Sequence, residues 1–175
     1  YLSISANGEY IIAGSNDDIY LFNKDSSTPL WTRDFSDYIH SVAISADGEY
    51  LVAGDNDLKV HLFDKDSSTP LWSYTTSGDV YGLSISSDGE YIAVSVTDSK
   101  VYLFDKDSST PLWTYSTGDD TNTIDISEDG EYIVAGGRGG DVYFFDKDSS
   151  TPEWSYSTGD KIYSVDISSD GEYIV

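Results

Sequence analysis

The tetrapeptide Asn7-Gly8-Glu9-Tyr10 returns as Asp47-Gly48-Glu49-Tyr50, Asp88-Gly89-Glu90-Tyr91, Asp129-Gly130-Glu131-Tyr132 and Asp170-Gly171-Glu172-Tyr173, at spacings of 40, 41, 41 and 41 residues. A period of this length constrains the chain more than any other feature. Each unit is one supersecondary element that cannot bury its apolar surface alone, so neighbouring units must stack. A second signature, KDSSTPLW from Lys24 to Trp31, recurs from Lys65, Lys106 and Lys147, with Glu153 for Leu in the last copy. All four prolines and all four tryptophans lie in these copies. The one-residue shortfall falls in the loop after Gly14, and no linker or shift in composition interrupts the array. The chain reads as one repeat domain, with units at about 1–34, 39–75, 80–116 and 121–157 and a partial unit at 162–175.

The second unit shows what each copy folds into. Ile39 to Ser45 is rich in β-formers and reads as a strand. Ala46-Asp47-Gly48 is a hairpin turn, because Asp-Gly supplies a residue that accepts positive φ. Glu49 to Gly54 reads as a second strand and Lys59 to Asp64 as a third, separated by the turn Asp55-Asn56-Asp57-Leu58. Lys65 to Pro70 is a loop that leads into a fourth strand, Leu71 to Thr75. Pro70 at its entrance fits an outer edge strand, where a missing donor matters little. Strands two and three are apolar on both faces, so both faces must be covered. Trp72 and Tyr74 point to one side of the fourth strand and Leu71 and Ser73 to the other. Glu153 at the Leu71 position marks that side as wet, so Trp72→Ala is expected among the most damaging changes. Four short antiparallel strands per period define an all-β fold, a β-propeller of four four-stranded blades plus a partial fifth. First-strand residues at Tyr1 to Ser5 and a lone hairpin at Ile162 to Val175 lead us to expect an open arc cut from a larger ring.

The segment Val42 to Gly54 resembles the first hairpin of a WD repeat. Val60-His61-Leu62-Phe63-Asp64 stands where such repeats carry a strand ending in Trp-Asp, here with Phe63 for Trp and no Gly-His pair before the first strand. The segment from Lys65 to Trp72 resembles the tryptophan-docking element of quinoprotein-like repeats. Over its whole length the chain is similar to WD-repeat-like and quinoprotein-like β-propeller repeat proteins. The resemblance implies a microbial secreted or cell-surface location and an interaction role.

Composition narrows the partners. With 32 acidic against 9 basic residues, the net charge is −23. Such a field repels phosphate backbones and anionic lipid and attracts cations or a basic partner. No apolar run approaches the roughly 20 residues that span a bilayer. There is no cysteine and there are two histidines, so disulfides, thiolate metal sites and thiol nucleophiles are excluded. His61 takes a third-strand position held by Tyr20, Tyr102 and Tyr143 in the other units and reads as packing. His40 begins a first strand where the other copies place Tyr81, Asn122 and Tyr163, a changing position among constant neighbours at the expected channel rim. Asp125 and Asp166 replace Ala43 and Ser84 inside first strands, where they either bridge blades or face the channel. Asp64-Lys65-Asp66-Ser67-Ser68 resembles the opening of a calcium loop without its later ligands. Gly136-Gly137-Arg138-Gly139-Gly140 presents either a guanidinium among open N–H groups, fit for an anion, or a solvated turn.

The loops joining strands one to two and three to four are nearly constant, whereas those on the opposite face differ between units. The expected role is a non-catalytic scaffold binding a protein or glycan through that variable face, with His40, Tyr81, Asn122, Tyr163, Arg138 and Phe35 as binding residues and no cofactor or metal. The alternatives are a lectin-like small-ligand propeller and a fragment of a quinone-dependent dehydrogenase. Open blade edges add an expectation of self-association.

Overall fold

A computed structural model describes residues 1–35 and 37–175. Its sixteen strands form four four-stranded antiparallel sheets, each ordered as in the sequence, with no helix among the described residues. Blade one holds β1 (Leu2–Ile4), β2 (Tyr10–Gly14), β3 (Asp18–Asn23) and β4 (Trp31–Asp34). Blade two holds β5 (Ile39–Ile44), β6 (Tyr50–Asp55), β7 (Lys59–Asp64) and β8 (Trp72–Thr75). Blade three holds β9 (Val80–Ile85), β10 (Tyr91–Val96), β11 (Lys100–Asp105) and β12 (Trp113–Ser116). Blade four holds β13 (Thr121–Ile126), β14 (Tyr132–Gly137), β15 (Asp141–Asp146) and β16 (Trp154–Ser157). Residues 162–175 return as a further hairpin, closed by a bridge between Ile167 and Ile174.

The doubly apolar strands are buried between blades rather than inside any one of them. In β6, Leu51 and Ala53 pack against Ile12, Ile19 and Leu21 of blade one. Val52, on the opposite face of the same strand, packs with Val80, Leu83 and Ile92 of blade three. The alternation of a strand thus feeds two cores at once. Blades three and four repeat this with Leu103, Ile124 and Ile133, and Val134 meets Val165 and Ile167 of the terminal hairpin.

The repeated signatures are the fastenings between these sheets. The outer-strand tryptophans of the first three blades donate their indole N–H to a loop carbonyl of the following blade: Trp31 to Lys65, Trp72 to Lys106 and Trp113 to Lys147, at 2.7, 2.7 and 2.6 Å. This explains why Trp and the lysine loop recur together. The hairpin turns form a second chain of links, from Ala6 N–H to the Ala46 carbonyl, Ala46 to Ser87 and Ser87 to Glu128, at 2.9 to 3.0 Å. Within each turn a serine hydroxyl and an Asx side-chain oxygen hold the backbone, as Ser45 and Asp47 do at 2.6 Å. Gly89 adopts φ +74, and a Cβ there would lie 2.5 Å from Cδ2 of Tyr50 in the preceding blade. The Gly and the Tyr of the tetrapeptide therefore answer each other across the blade interface.

The tryptophans are less buried than their role suggested. Trp72 is half-buried, while Phe63, Phe104 and Phe145 are the largest fully enclosed side chains. The first three tryptophans lie over the phenylalanine of the next blade, Trp72 on Phe104 at 5.4 Å and Trp113 on Phe145 at 5.3 Å, whereas Trp154 stacks on Phe144 of its own blade. A long aromatic on a short outer strand reaches the seam but still leaves an edge in water.

Two measurements check these fastenings. Gly8→Ala and Gly89→Ala impose similar left-handed strain, but only the second meets a neighbour, since nothing lies within 4 Å of a Cβ on Gly8. We expect Gly89→Ala to be the more destabilising by about 1–3 kcal/mol in denaturant titrations. Trp113→Phe, which strands the Lys147 carbonyl, should cost about 1 kcal/mol by the same measurement.

Candidate functional site

The register of the inner strands departs from regular pairing at one repeated place. Ile39 pairs with Asp55 and Ser41 with Gly54, leaving His40 as an extra residue. Val80 pairs with Val96 and Gly82 with Ser95, leaving Tyr81 extra. Thr121 pairs with Gly137 and Thr123 with Gly136, leaving Asn122 extra. A β-bulge releases one side chain from the ladder and re-aims it. The three residues whose chemistry varies are thus the three bulged ones. Tyr163 holds the equivalent position in the terminal hairpin and is 83% exposed.

The bulges build an aromatic row. The rings of His40 and Tyr81 stack at 4.6 Å and 17°, and Tyr38 lies against His40 at 5.4 Å. Tyr38 and Tyr81 are 48% and 36% exposed. His40 Nε2 lies 3.0 Å from Oδ1 of Asn56, in the β6–β7 loop of its own blade. At the next bulge, Oδ1 of Asn122 is shielded from solvent without a hydrogen-bond partner. In the hairpin beyond, the Lys161 ammonium stands 4.8 Å over the Tyr163 ring.

Third-strand rings hold the loops of this face in place. Tyr20 donates to Asp18 at 3.0 Å and Tyr102 to Asp98 at 3.0 Å. Tyr143 donates to the Thr117 carbonyl at 2.7 Å, and burial pushes its phenol up to about 12. His61 does the same work in blade two, with Nε2 2.9 Å from Asp55 and Nδ1 2.7 Å from Ser73. Beyond the packing expected of it, His61 is a polar tether.

Other candidates fall elsewhere. Phe35, expected as a binding residue, is half-buried between blades one and two, 4.7 Å from His61 and 6.2 Å from Phe63, with Arg33 over its outer face. The short β4–β5 connection turns its ring into the seam. Arg138 donates to Asp120 at 3.2 Å, and the loop N–H groups of Arg138 and Gly140 are taken by the carbonyls of Asp120 and Gly137. A Cβ on Gly137 would collide with the Asp120 carbonyl. The glycine run therefore admits the preceding blade's loop rather than an anion.

The carboxylates inside the first strands act as bridges. Asp125 accepts from Ser84 at 2.8 Å and from the Ile167 N–H at 3.0 Å, joining three successive units. Burial raises its pKa above the ordinary value, and a hydrogen bond with Asp166 adds to the rise. In the KDSST loops, Asp64 accepts the Asp66 N–H at 2.8 Å, which spends the carboxylate on the turn. Among the described residues no three His, Asp or Glu side chains converge as a metal donor set.

Tyr38, Asn56 and Lys161 were not singled out from the sequence. Tyr38 and Lys161 occupy one position, taken by Asp79 and Asp120 in the other units, and that variation was the available signal.

Because the Asp125 pKa is raised on folding, the folded state binds more protons than the unfolded one above the ordinary aspartate range. Its contribution to stability therefore declines as pH rises through that window. Asp125→Asn keeps an acceptor for Ile167 and removes the ionisation. We expect the variant to melt above the parent near neutral pH, with the gap closing toward about pH 4.

No helix among the described residues is long and apolar enough to cross a membrane. No curated protein matches the chain. The family model described as outer membrane protein assembly factor BamB matches residues 15–172, and with four four-stranded antiparallel blades in place the chain belongs to that family of quinoprotein-like β-propeller repeats.

Proposed function

We propose that the chain is a non-catalytic scaffold that binds a protein partner through its variable loop face. The observation that carries this reading is the coincidence of variation with bulging: His40, Tyr81 and Asn122 differ in chemistry and are the residues released from the ladder. Bulges cluster where a fold presents side chains to a partner, and loops on a rigid scaffold carry recognition. The family description names an assembly factor, a protein whose work is contact with other proteins, which supports the same reading.

The lectin-like alternative needs an aromatic platform in each blade. Trp31, Trp72 and Trp113 are committed to the next blade by their indole N–H groups, and the bulge series is His, Tyr, Asn and Tyr rather than one repeated ring. A dehydrogenase needs the convergent donors described above.

A photo-cross-linking residue placed at position 81, compared with one at position 107 on the constant face, tests the proposal in the source cell. Adducts with a partner protein are expected from position 81 and not from 107. Adducts equal from both faces, or none from either, overturn it.

A further inference from the structure

The bulged rim joins exposed aromatic faces to uncompensated acid. Tyr38, His40 and Tyr81 form a continuous stack with both tyrosines partly in solvent. Beside them stand Asp37 and Asp79. Asp37 accepts the neighbouring Tyr38 N–H, and Asp79 has neither side-chain hydrogen bond nor ion pair among the described residues. Among the loop acids of this face, Asp57 pairs with Lys59, Asp98 with Lys100 and Asp120 with Arg138, whereas Asp37 and Asp79 have no ion pair among the described residues.

Two further observations say what such a rim takes. In the terminal hairpin the residue two before the equivalent position, Tyr163, is Lys161, and its ammonium lies over the Tyr163 ring at 4.8 Å. The chain itself thus places a cation on a rim phenol. In blade three the residue two before Tyr81 is Asp79, not Lys, so the cation for that ring has to come from outside. The second observation is Oδ1 of Asn122 at the next bulge, shielded and without a donor. A buried acceptor in that condition is satisfied by an incoming N–H. Aromatic faces attract ammonium and guanidinium groups, and adjacent carboxylates strengthen the attraction.

We propose that this rim receives the lysine or arginine side chains of a basic peptide segment, with Tyr38 and Tyr81 as cation–π faces, Asp37 and Asp79 as charge partners, and Asn122 Oδ1 as an acceptor. This rests on the scaffold reading and names the chemistry of its partner. The net charge of −23 brings basic chains to every side of the molecule, so the test separates the rim from the general field.

The probe is a short unstructured peptide of alternating arginine and glycine, titrated calorimetrically into the whole chain at moderate salt. Tyr38→Ala with Tyr81→Ala is expected to weaken binding about tenfold. Asp37→Asn with Asp79→Asn should weaken it comparably, and being surface changes these keep the test valid if the tyrosine pair unfolds. Asp66→Asn with Asp107→Asn removes the same charge from the constant face, and should shift affinity less than about twofold. Equal losses from the two aspartate pairs, or full affinity in the tyrosine pair, overturn the proposal in favour of field attraction alone. Binding of a neutral oligosaccharide at the rim in place of the peptide overturns it as well. Cross-linking from position 81 to a protein without a basic segment, with no peptide binding, defeats this inference and leaves the scaffold reading standing.

Discussion

Each blade depends on its neighbours because its middle strands are apolar on both faces. Leu51 and Val52 are adjacent in β6, yet one lies in the core shared with blade one and the other in the core shared with blade three. A single sheet of this composition would expose one of the two sets to water, at about 1.5–3 kcal/mol for each large side chain. Stacking removes that penalty repeatedly along the array. The polar fastenings then set the angle and register of the stack. The indole-to-carbonyl bond fixes the outer edge, the linked hairpin turns fix one face, and Asp125 bridges the inner strands. Conserving the Trp, the lysine loop and the Asx-Gly-Glu-Tyr turn in every unit follows from that division of labour.

With most packing and fastening assigned to constant residues, much of the variation falls at positions that carry neither, Asp125 and His61 being the exceptions. The bulge creates one such position per blade without disturbing the sheet, because the extra residue has no ladder partner to lose. His40, Tyr81 and Asn122 occupy it. The loops around them are held from below by the third-strand rings, so a variable surface sits on a rigid support. Such preorganisation lowers the ordering penalty that a binding surface otherwise meets on association. The glycine run at 136–140 belongs to the same logic, since it makes room for the loop of the preceding blade rather than presenting a site of its own.

The charge of the molecule is distributed unevenly in its consequences. On the constant face the lysines pair with glutamates of their own hairpins, Lys65 with Glu49 at 2.7 Å and Lys106 with Glu90 at 3.1 Å. Each joins a mostly covered lysine to a glutamate that remains in solvent, and such pairs contribute little to stability. On the variable face several loop acids are similarly paired, whereas Asp79 has no charge partner among the described residues. The electrostatic character of the rim is thus set by which acids are left uncompensated, and not by net charge alone.

The amino-acid sequence by itself determined the blades, their order and the faces that must be covered. A period of about 41 residues and apolar patterning on both sides of two strands leave few folds that satisfy both. It also marked positions 40, 81, 122 and 163 as variable among constant neighbours. What it did not disclose was why those positions are free, because a bulge is a property of pairing between strands and leaves no signature in the composition of either one. For the same reason Phe35 looked available in the sequence and proved to be packed on His61 and Phe63. The open-looking glycine loop proved to be occupied by the backbone of Asp120. Tertiary structure decided these matters, since burial and hydrogen bonding there are fixed by the neighbouring blade, and no single repeat contains its neighbour.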